Sequence, residues 1–187
     1  MKYLIAGLGN IGPEYEHTRH NIGFDIVDYL AKERDTTFNS KRYADYASFS
    51  WKGRHFHLIK PTTYMNRSGN AVRYWLQELK LTPDRLLVLM DDIALPTGKL
   101  RLRPSGSDGG HNGLRDIDRA LGHNKYARLR FGVGNDFPKG AQAHYVLSRW
   151  PEEEEALVQE RIKLAAEVVV HFGTIGLERT MNQYNNR

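Results

Sequence analysis

Residues 7 to 23 read Gly-Leu-Gly-Asn-Ile-Gly-Pro-Glu-Tyr-Glu-His-Thr-Arg-His-Asn-Ile-Gly, directly after the apolar run Tyr3–Ala6. No other stretch limits the fold as tightly. An apolar run closing on glycine predicts a buried strand over 2–7 with a sharp exit. Gly7, Gly9 and Gly12 satisfy G-x-G-x-x-G, the pattern of a dinucleotide-binding turn. That turn needs a helix opening at its glycines, so that helical N–H groups meet the pyrophosphate. Here Pro13 follows Gly12, and the 3.6-residue apolar period starts only at Ile22. The acid that such a site needs about 20 residues on, at the end of a second strand, would fall in Asp28–Arg34, which reads as helix. The segment is therefore read as strand, polar loop and helix, with NAD or FAD binding and a ligand-free glycine turn as alternatives.

The 187 residues suit one domain with a sizeable core. No run approaches 18 apolar residues, so no membrane span is expected. The chain enters its first strand straight after Met1-Lys2, without a signal-peptide pattern. There is no cysteine, hence no disulfide, thiolate chemistry or zinc–cysteine site. The expectation is a cytoplasmic protein. Net charge is +5, and its placement matters more than its size. Between Lys99 and Arg130 stand eight basic residues (with Arg101, Arg103, Arg115, Arg119, Lys125 and Arg128) against the acids Asp108, Asp116 and Asp118. The rest of the chain is balanced, so the whole excess lies in one segment, as for a polyanion site or a merely solvated basic face.

Further elements follow from pattern. Helices are predicted over 22–34 with Asn21 as N-cap, over 68–79, from Asn112 as cap to Leu121 with Gly122 as stop, over 152–172 with Pro151 at N1 and Gly173 as stop, and over 175–184. Strands are predicted at 46–51 and 55–59 as a hairpin about Lys52-Gly53, ended by Pro61, and at 86–90, 99–103 and 128–134. Lys99, Arg101 and Arg103 share one strand face, as do Arg128 and Arg130. The order predicts a single three-layer α/β domain over 1–187, a mixed, partly antiparallel twisted sheet flanked by helices. Asn10 and Asp91 then fall at the carboxyl ends of apolar strands, where sites in such sheets form.

His20 sits in a polar loop on this scaffold, where an imidazole can accept a proton near neutral pH, better so if a carboxylate holds its other nitrogen. A carboxylate at a strand end, such as Asp91, can do this, and Asp92 only if the strand end turns. A lone histidine also serves packing or surface roles. His55, His57, His123, His144 and His171 read as structural, and Glu14-x-x-His17 is a single half of a di-iron pattern that needs two. Asn10, Asn66 and Asn112 each stand among small residues; an amide there can donate to an oxyanion or simply serve a turn. No G-x-S-x-G occurs.

Four motifs in order carry a resemblance: Gly7-Leu-Gly-Asn10 through Thr18-Arg-His20-Asn-Ile-Gly-Phe24, Lys60-Pro-Thr-Thr-Tyr-Met-Asn66-Arg-Ser-Gly69, Asp91-Asp-Ile-Ala-Leu-Pro96 and Gly109-Gly-His-Asn112-Gly-Leu114, with Tyr145-Val-Leu-Ser148 near the end. Together they resemble the bacterial peptidyl-tRNA hydrolases across almost the whole chain. The resemblance implies a monomeric single-domain enzyme cleaving the ester between peptide and the tRNA 3′ end, with peptidyl-tRNA as partner, no membrane, no cofactor and no metal. It implies His20 as general base, Asp91 as its orienting acid, Asn10, Asn66 and Asn112 as substrate-positioning and oxyanion groups, Tyr15, Tyr64 and Met65 lining the groove, and Arg103 and Arg130 on a tRNA phosphate. The family usually has proline at Ile11 and an acid at Ala94. The alternative of a different class is an RNA-binding protein that keeps the fold without turnover.

Overall fold

A computed structural model describes all 187 residues. Strands β1 (Lys2–Gly7), β2 (Asn39–Lys41), β3 (Ala44–Trp51), β4 (Arg54–Pro61), β5 (Leu86–Asp92), β6 (Leu100–Arg103) and β7 (Ala127–Gly132) form one sheet in the order β2-β3-β4-β1-β5-β7-β6. The central four run parallel, while β3 against β4, β2 against β3 and β6 against β7 are antiparallel. The helices are α1 (Ile22–Glu33), α2 (Ser68–Leu79), α3 (Asn112–Leu121), α4 (Gln142–Val146), α5 (Glu152–Ile175) and α6 (Leu177–Tyr184).

Strand β5 is apolar without alternation because both its faces are covered. Leu87 and Leu89 enter a core shared with Ile26 and Leu30 of α1 and Val169 of α5. Leu86, Val88 and Met90 enter a second core with Val72 and Leu76 of α2 and Leu114 and Ile117 of α3. The sheet is thus the middle of three layers, as expected. Helices α2 and α3 are drawn together at Gly69, where a Cβ would lie 2.3 Å from the Asp116 carbonyl oxygen, and Asp116 Oδ2 accepts from Gly69 N at 2.8 Å.

The first glycines serve packing. A Cβ on Gly7 would lie 2.2 Å from the Gly23 carbonyl oxygen, so β1 and α1 touch backbone to backbone. The chain makes a 3-10 turn at Pro13–Tyr15, and α1 opens only at Ile22, well past Gly12. The turn Gly7–Gly12 therefore does not lead straight into an α-helix, as a dinucleotide-binding turn must.

Several expectations are corrected. Asn21 precedes α1 but makes no capping bond. His111, not Asn112, caps α3, its ring accepting from Gly113 N and Leu114 N. Gly173 does not stop α5; it lies inside the helix because a Cβ there would sit 2.5 Å from the Phe56 ring, and the break comes at Gly176 (φ 91°), so α6 starts at Leu177. Pro151 is the N-cap of α5, with ψ 151°, not N1. Asp91 and Asp92 lie within β5 rather than after it, and Pro61 is the last residue of β4. Strand β2, entirely exposed, and the short α4 are additions. Arg128 is no part of a basic surface. It is fully buried, with Nη2 donating to the Asn124 oxygen at 2.6 Å and Nη1 to the Gly106 oxygen at 3.1 Å.

Candidate active site

The parallel register sets the site. Gly7 lies opposite Leu89, so the chain leaving β1 carries Asn10 past the end of β5, where Asp91 stands. Asp91 is buried to 3% exposure between neighbouring strands, a place where a carboxylate must be paired. Two imidazoles pair it. His20 Nδ1 lies 2.9 Å from Oδ2 and 3.0 Å from Oδ1, and His111 Nε2 lies 2.8 Å from Oδ1.

Bonding fixes the tautomers. His111 Nδ1 accepts from Gly113 N at 3.1 Å and Leu114 N at 3.3 Å, so its proton is on Nε2 and goes to Asp91. An ionised Asp91 only accepts, so His20 carries its proton on Nδ1 and presents a bare Nε2. Burial alone would raise the Asp91 pKa, but the charges and hydrogen bonds of His20 and His111 outweigh it and hold the carboxyl far below the usual range. Burial pulls the His20 pKa down, and the Asp91 charge and hydrogen bond more than reverse this, leaving it raised.

The turn bearing His20 is clamped from behind. Arg19, buried and without a carboxylate, donates Nη1 to the Tyr145 oxygen at 3.0 Å and lies 3.9 Å over the Tyr145 ring. Arg19 N donates to the Ser148 oxygen at 3.1 Å, and Thr18 bridges Arg149. The motif Tyr145–Ser148 thereby acquires a structural reason: it ties α4 to the histidine turn.

Asn21, free of capping, grips the neighbouring loop. Its Oδ1 accepts from Asn10 N at 2.8 Å and its Nδ2 donates to the Asn10 oxygen at 2.9 Å. Asn10 Oδ1 in turn accepts from Met65 N at 2.7 Å. The Asn10 amide is thus oriented with Nδ2 as its free end, a donor whose position is set from three sides.

These groups surround a cavity of about 480 Å³. Of the ten residues named from sequence, it is lined by His20, Asp91, Asn10, Met65, Asn66, Asn112 and Arg130. Tyr15, Tyr64 and Arg103 lie outside its lining. Tyr64, half exposed, stands just before the 3-10 turn Met65–Arg67 with φ 61°. Arg130 donates Nη2 to the Ser107 oxygen at 2.8 Å and approaches Asp92 to 3.6 Å. Arg103 shares its sheet face, since Arg101 faces Arg130 and Arg103 faces Arg128 across β6 and β7. Of the two departures, Ala94 is exposed and outside the lining, and Ile11 adjoins a loop held by Asn21.

Sequence reasoning missed His111, along with the α4 wall of Gln142, Ala143 and Val146. The signal for His111 was its motif Gly-Gly-His-Asn-Gly, read there for its asparagine. His20, Asp91 and His111 are also the one metal-type donor cluster, with a donor atom of each within 4.8 Å of the others. Their separations of 2.8 to 3.0 Å are those of hydrogen bonds, and an ion with ligand bonds of about 2.0–2.2 Å would have to part them.

The family model described as Peptidyl-tRNA hydrolase matches residues 4–187. The peptidyl-tRNA hydrolase of Cytophaga hutchinsonii is 54% identical over 187 residues, the full length of both chains. That of Phocaeicola vulgatus is 52% identical, again over the full length of both. The crystal structure of peptidyl-tRNA hydrolase from Acinetobacter baumannii superposes with a TM-score of 0.92 at 34% identity, covering 98% of this chain and 94% of the other.

Proposed function

The chain belongs to the peptidyl-tRNA hydrolase family, enzymes that hydrolyse peptidyl-tRNA, and from that premise we propose that His20 is the general base of the reaction. With Nδ1–H bound to Asp91, Nε2 takes a proton from water as the oxygen attacks the ester carbonyl carbon. The charge passes to the carbonyl oxygen, where Asn10 Nδ2 donates. The carbon–oxygen bond to the ribose then breaks, and the imidazolium returns its proton to the leaving 3′ oxygen. Asp91 stays ionised throughout and stabilises the imidazolium. An ester needs less activation than an amide: a positioned base supplies about 10²–10⁴-fold and an oxyanion donor about 10²–10³-fold.

Asn66 and Asn112, both exposed at the cavity rim, can hydrogen-bond the peptide backbone that every substrate shares. Met65 supplies an apolar wall, and Tyr15 and Tyr64 border the path of the 3′ end outside the cavity. Arg103, exposed, and Arg130 offer cations for the tRNA 5′-phosphate. The reading includes a single-domain monomer acting in the cytoplasm, with no cofactor. No helix is long and apolar enough to cross a membrane.

The observation that carries this reading is the bare His20 Nε2 at a cavity ringed by amides, backed by a buried carboxylate. His20→Ala should abolish hydrolysis of diacetyl-lysyl-tRNA and leave tRNA binding within a few-fold. Cleavage at the parent rate would assign the base elsewhere.

A further inference from the structure

At the edge of the sheet opposite Arg103, a second arginine cluster takes no part in the reaction above. It forms where the turn between β2 and β3 meets the exposed side of α2. Arg42, Tyr43, Asn70, Arg73, Tyr74 and Gln77 line a polar depression of about 350 Å³ that contains no acid. The Arg42 guanidinium lies 5.1 Å from the Tyr43 ring centroid and 5.4 Å from that of Tyr74, and the two rings meet edge to face at 5.4 Å. The turn is anchored, with Trp75 Nε1 donating to the Arg42 oxygen at 3.0 Å and Thr62 N to the Tyr43 oxygen at 2.9 Å. Tyr43 is held at φ 64°, a conformation costly for a bulky side chain, and remains 39% exposed.

Charge names the occupant. Arg42 and Arg73 make no ion pair, whereas Arg85, Arg119 and Arg130 each have a carboxylate within 4.0 Å. The depression and the cavity share no lining residue, but both border the start of α2: Asn66 lines the cavity, Arg67 next to it in sequence is exposed, and Asn70 and Tyr74 of α2 line the depression. Asn66 stands in the 3-10 turn just before α2, and from Ser68 to Tyr74 the helix rises about 9 Å at 1.5 Å per residue. Free guanidinium groups beside exposed aromatic rings suit single-stranded nucleic acid, whose phosphates pair with the cations and whose bases stack. A peptide of arbitrary side chains would have no need of two unpaired cations. Strand β3 and Arg103's strand β6 are five places apart, about 24 Å at 4.8 Å per strand, so this cluster and Arg103 lie towards opposite edges of the sheet, with β1 and β5 of the cavity between them.

We propose that the Arg42–Tyr43–Arg73–Tyr74 depression binds the 3′ strand of the tRNA acceptor end, pairing its phosphates and stacking one base, as the strand turns into the cavity. This rests on peptidyl-tRNA as substrate but not on His20 as base. The test uses full-length deacylated tRNA for binding and diacetyl-lysyl-tRNA for hydrolysis. In the double variant Arg42→Gln/Arg73→Gln, the slope of log affinity against log salt should flatten by about 1.4, for two contacts of about 0.7 each on a single strand. Tyr43→Ala should weaken binding about ten-fold with the slope unchanged, the low end of one lost stack. In both variants kcat at saturation should equal the parent's, since none of these side chains reaches the cavity. Slopes and affinities equal to the parent's would overturn the proposal. So would a loss that appears only as the acyl group lengthens from one residue to several, which would make the depression a peptide site. Failure of His20 as base would instead show in the kcat of the His20 variant and leave these slopes untouched.

Discussion

Two corners of the molecule bring a histidine to the same carboxylate, and they are not equivalent. At the turn Thr18–Asn21, His20 reaches Asp91 at 2.9 Å; at the start of α3, His111 reaches it at 2.8 Å, with the rings 5.0 Å apart. Contact with Asp91 therefore does not select the base. The distal nitrogen does. In His111 it accepts two N–H groups from the first turn of α3 and has no capacity left. In His20 it has no protein partner and opens on the cavity. On the proposed mechanism the first corner reacts and the second holds the acid still.

The hardest test of this contrast removes the shared partner. Asp91→Asn leaves a group that still fills the space but no longer fixes the His20 tautomer by charge. We expect kcat to fall by about 10³–10⁴-fold, as for loss of an orienting acid elsewhere. The residual activity should also change its pH profile. Only neutral His20 can act as base, so activity in the parent should rise with pH through a midpoint above the ordinary histidine value, because Asp91 outweighs burial. Without that charge, burial acts alone and the midpoint should move to lower pH. An unmoved acid limb would mean that His20 is not the titrating base.

The contrast also shows where the sequence was readable. Strands β1 and β5 announced themselves as apolar runs, and their carboxyl ends named Asn10 and Asp91 as neighbours across 80 positions; the parallel register Gly7–Leu89 makes them so. His20 stood out as a loop histidine. His111 did not, because cap preferences favour asparagine and point one residue too far, to Asn112. Alternation put Arg128 and Arg130 on one face, which is correct, but burial of Arg128 depends on the Asn124 and Gly106 carbonyls closing over it, a long-range matter. Gly173 carries the usual mark of a helix stop, and only the Phe56 ring packed against it shows that it is a contact. Local signals located elements and missed what distant segments do to them.

A finer test separates the two duties of His111. His111→Ala removes both the α3 cap and the second bond to Asp91. Loss of the cap should cost about 1 kcal/mol, lowering Tm by about 2–4 °C in a chain of this size. The rate should fall about ten-fold, by analogy with outer-shell partners of metal ligands. His111→Asn retains a good capping residue but cannot reach Asp91 in the same way. Its Tm should recover towards that of the parent while kcat stays low. If Tm and kcat recover together, His111 acts only through the stability of α3.

The smallest expected effect lies in the pH dependence of stability. Protonated His20 is favoured by Asp91 in the folded protein, so its pKa is higher folded than unfolded. Such a group adds stability that is fully present below the unfolded value, near 6.5, and is lost as pH rises through the folded one. Thermal midpoints of the parent should therefore decline as pH climbs upward from about 6.5, and those of His20→Ala should be flatter over the same range. The acid limb of kcat/KM in the parent, which reports the free enzyme, should fall in that window, since one imidazole sets both curves. If His20→Ala keeps the parent's decline, the stability term belongs to another group, and the asymmetry between the two histidines rests on bonding geometry alone.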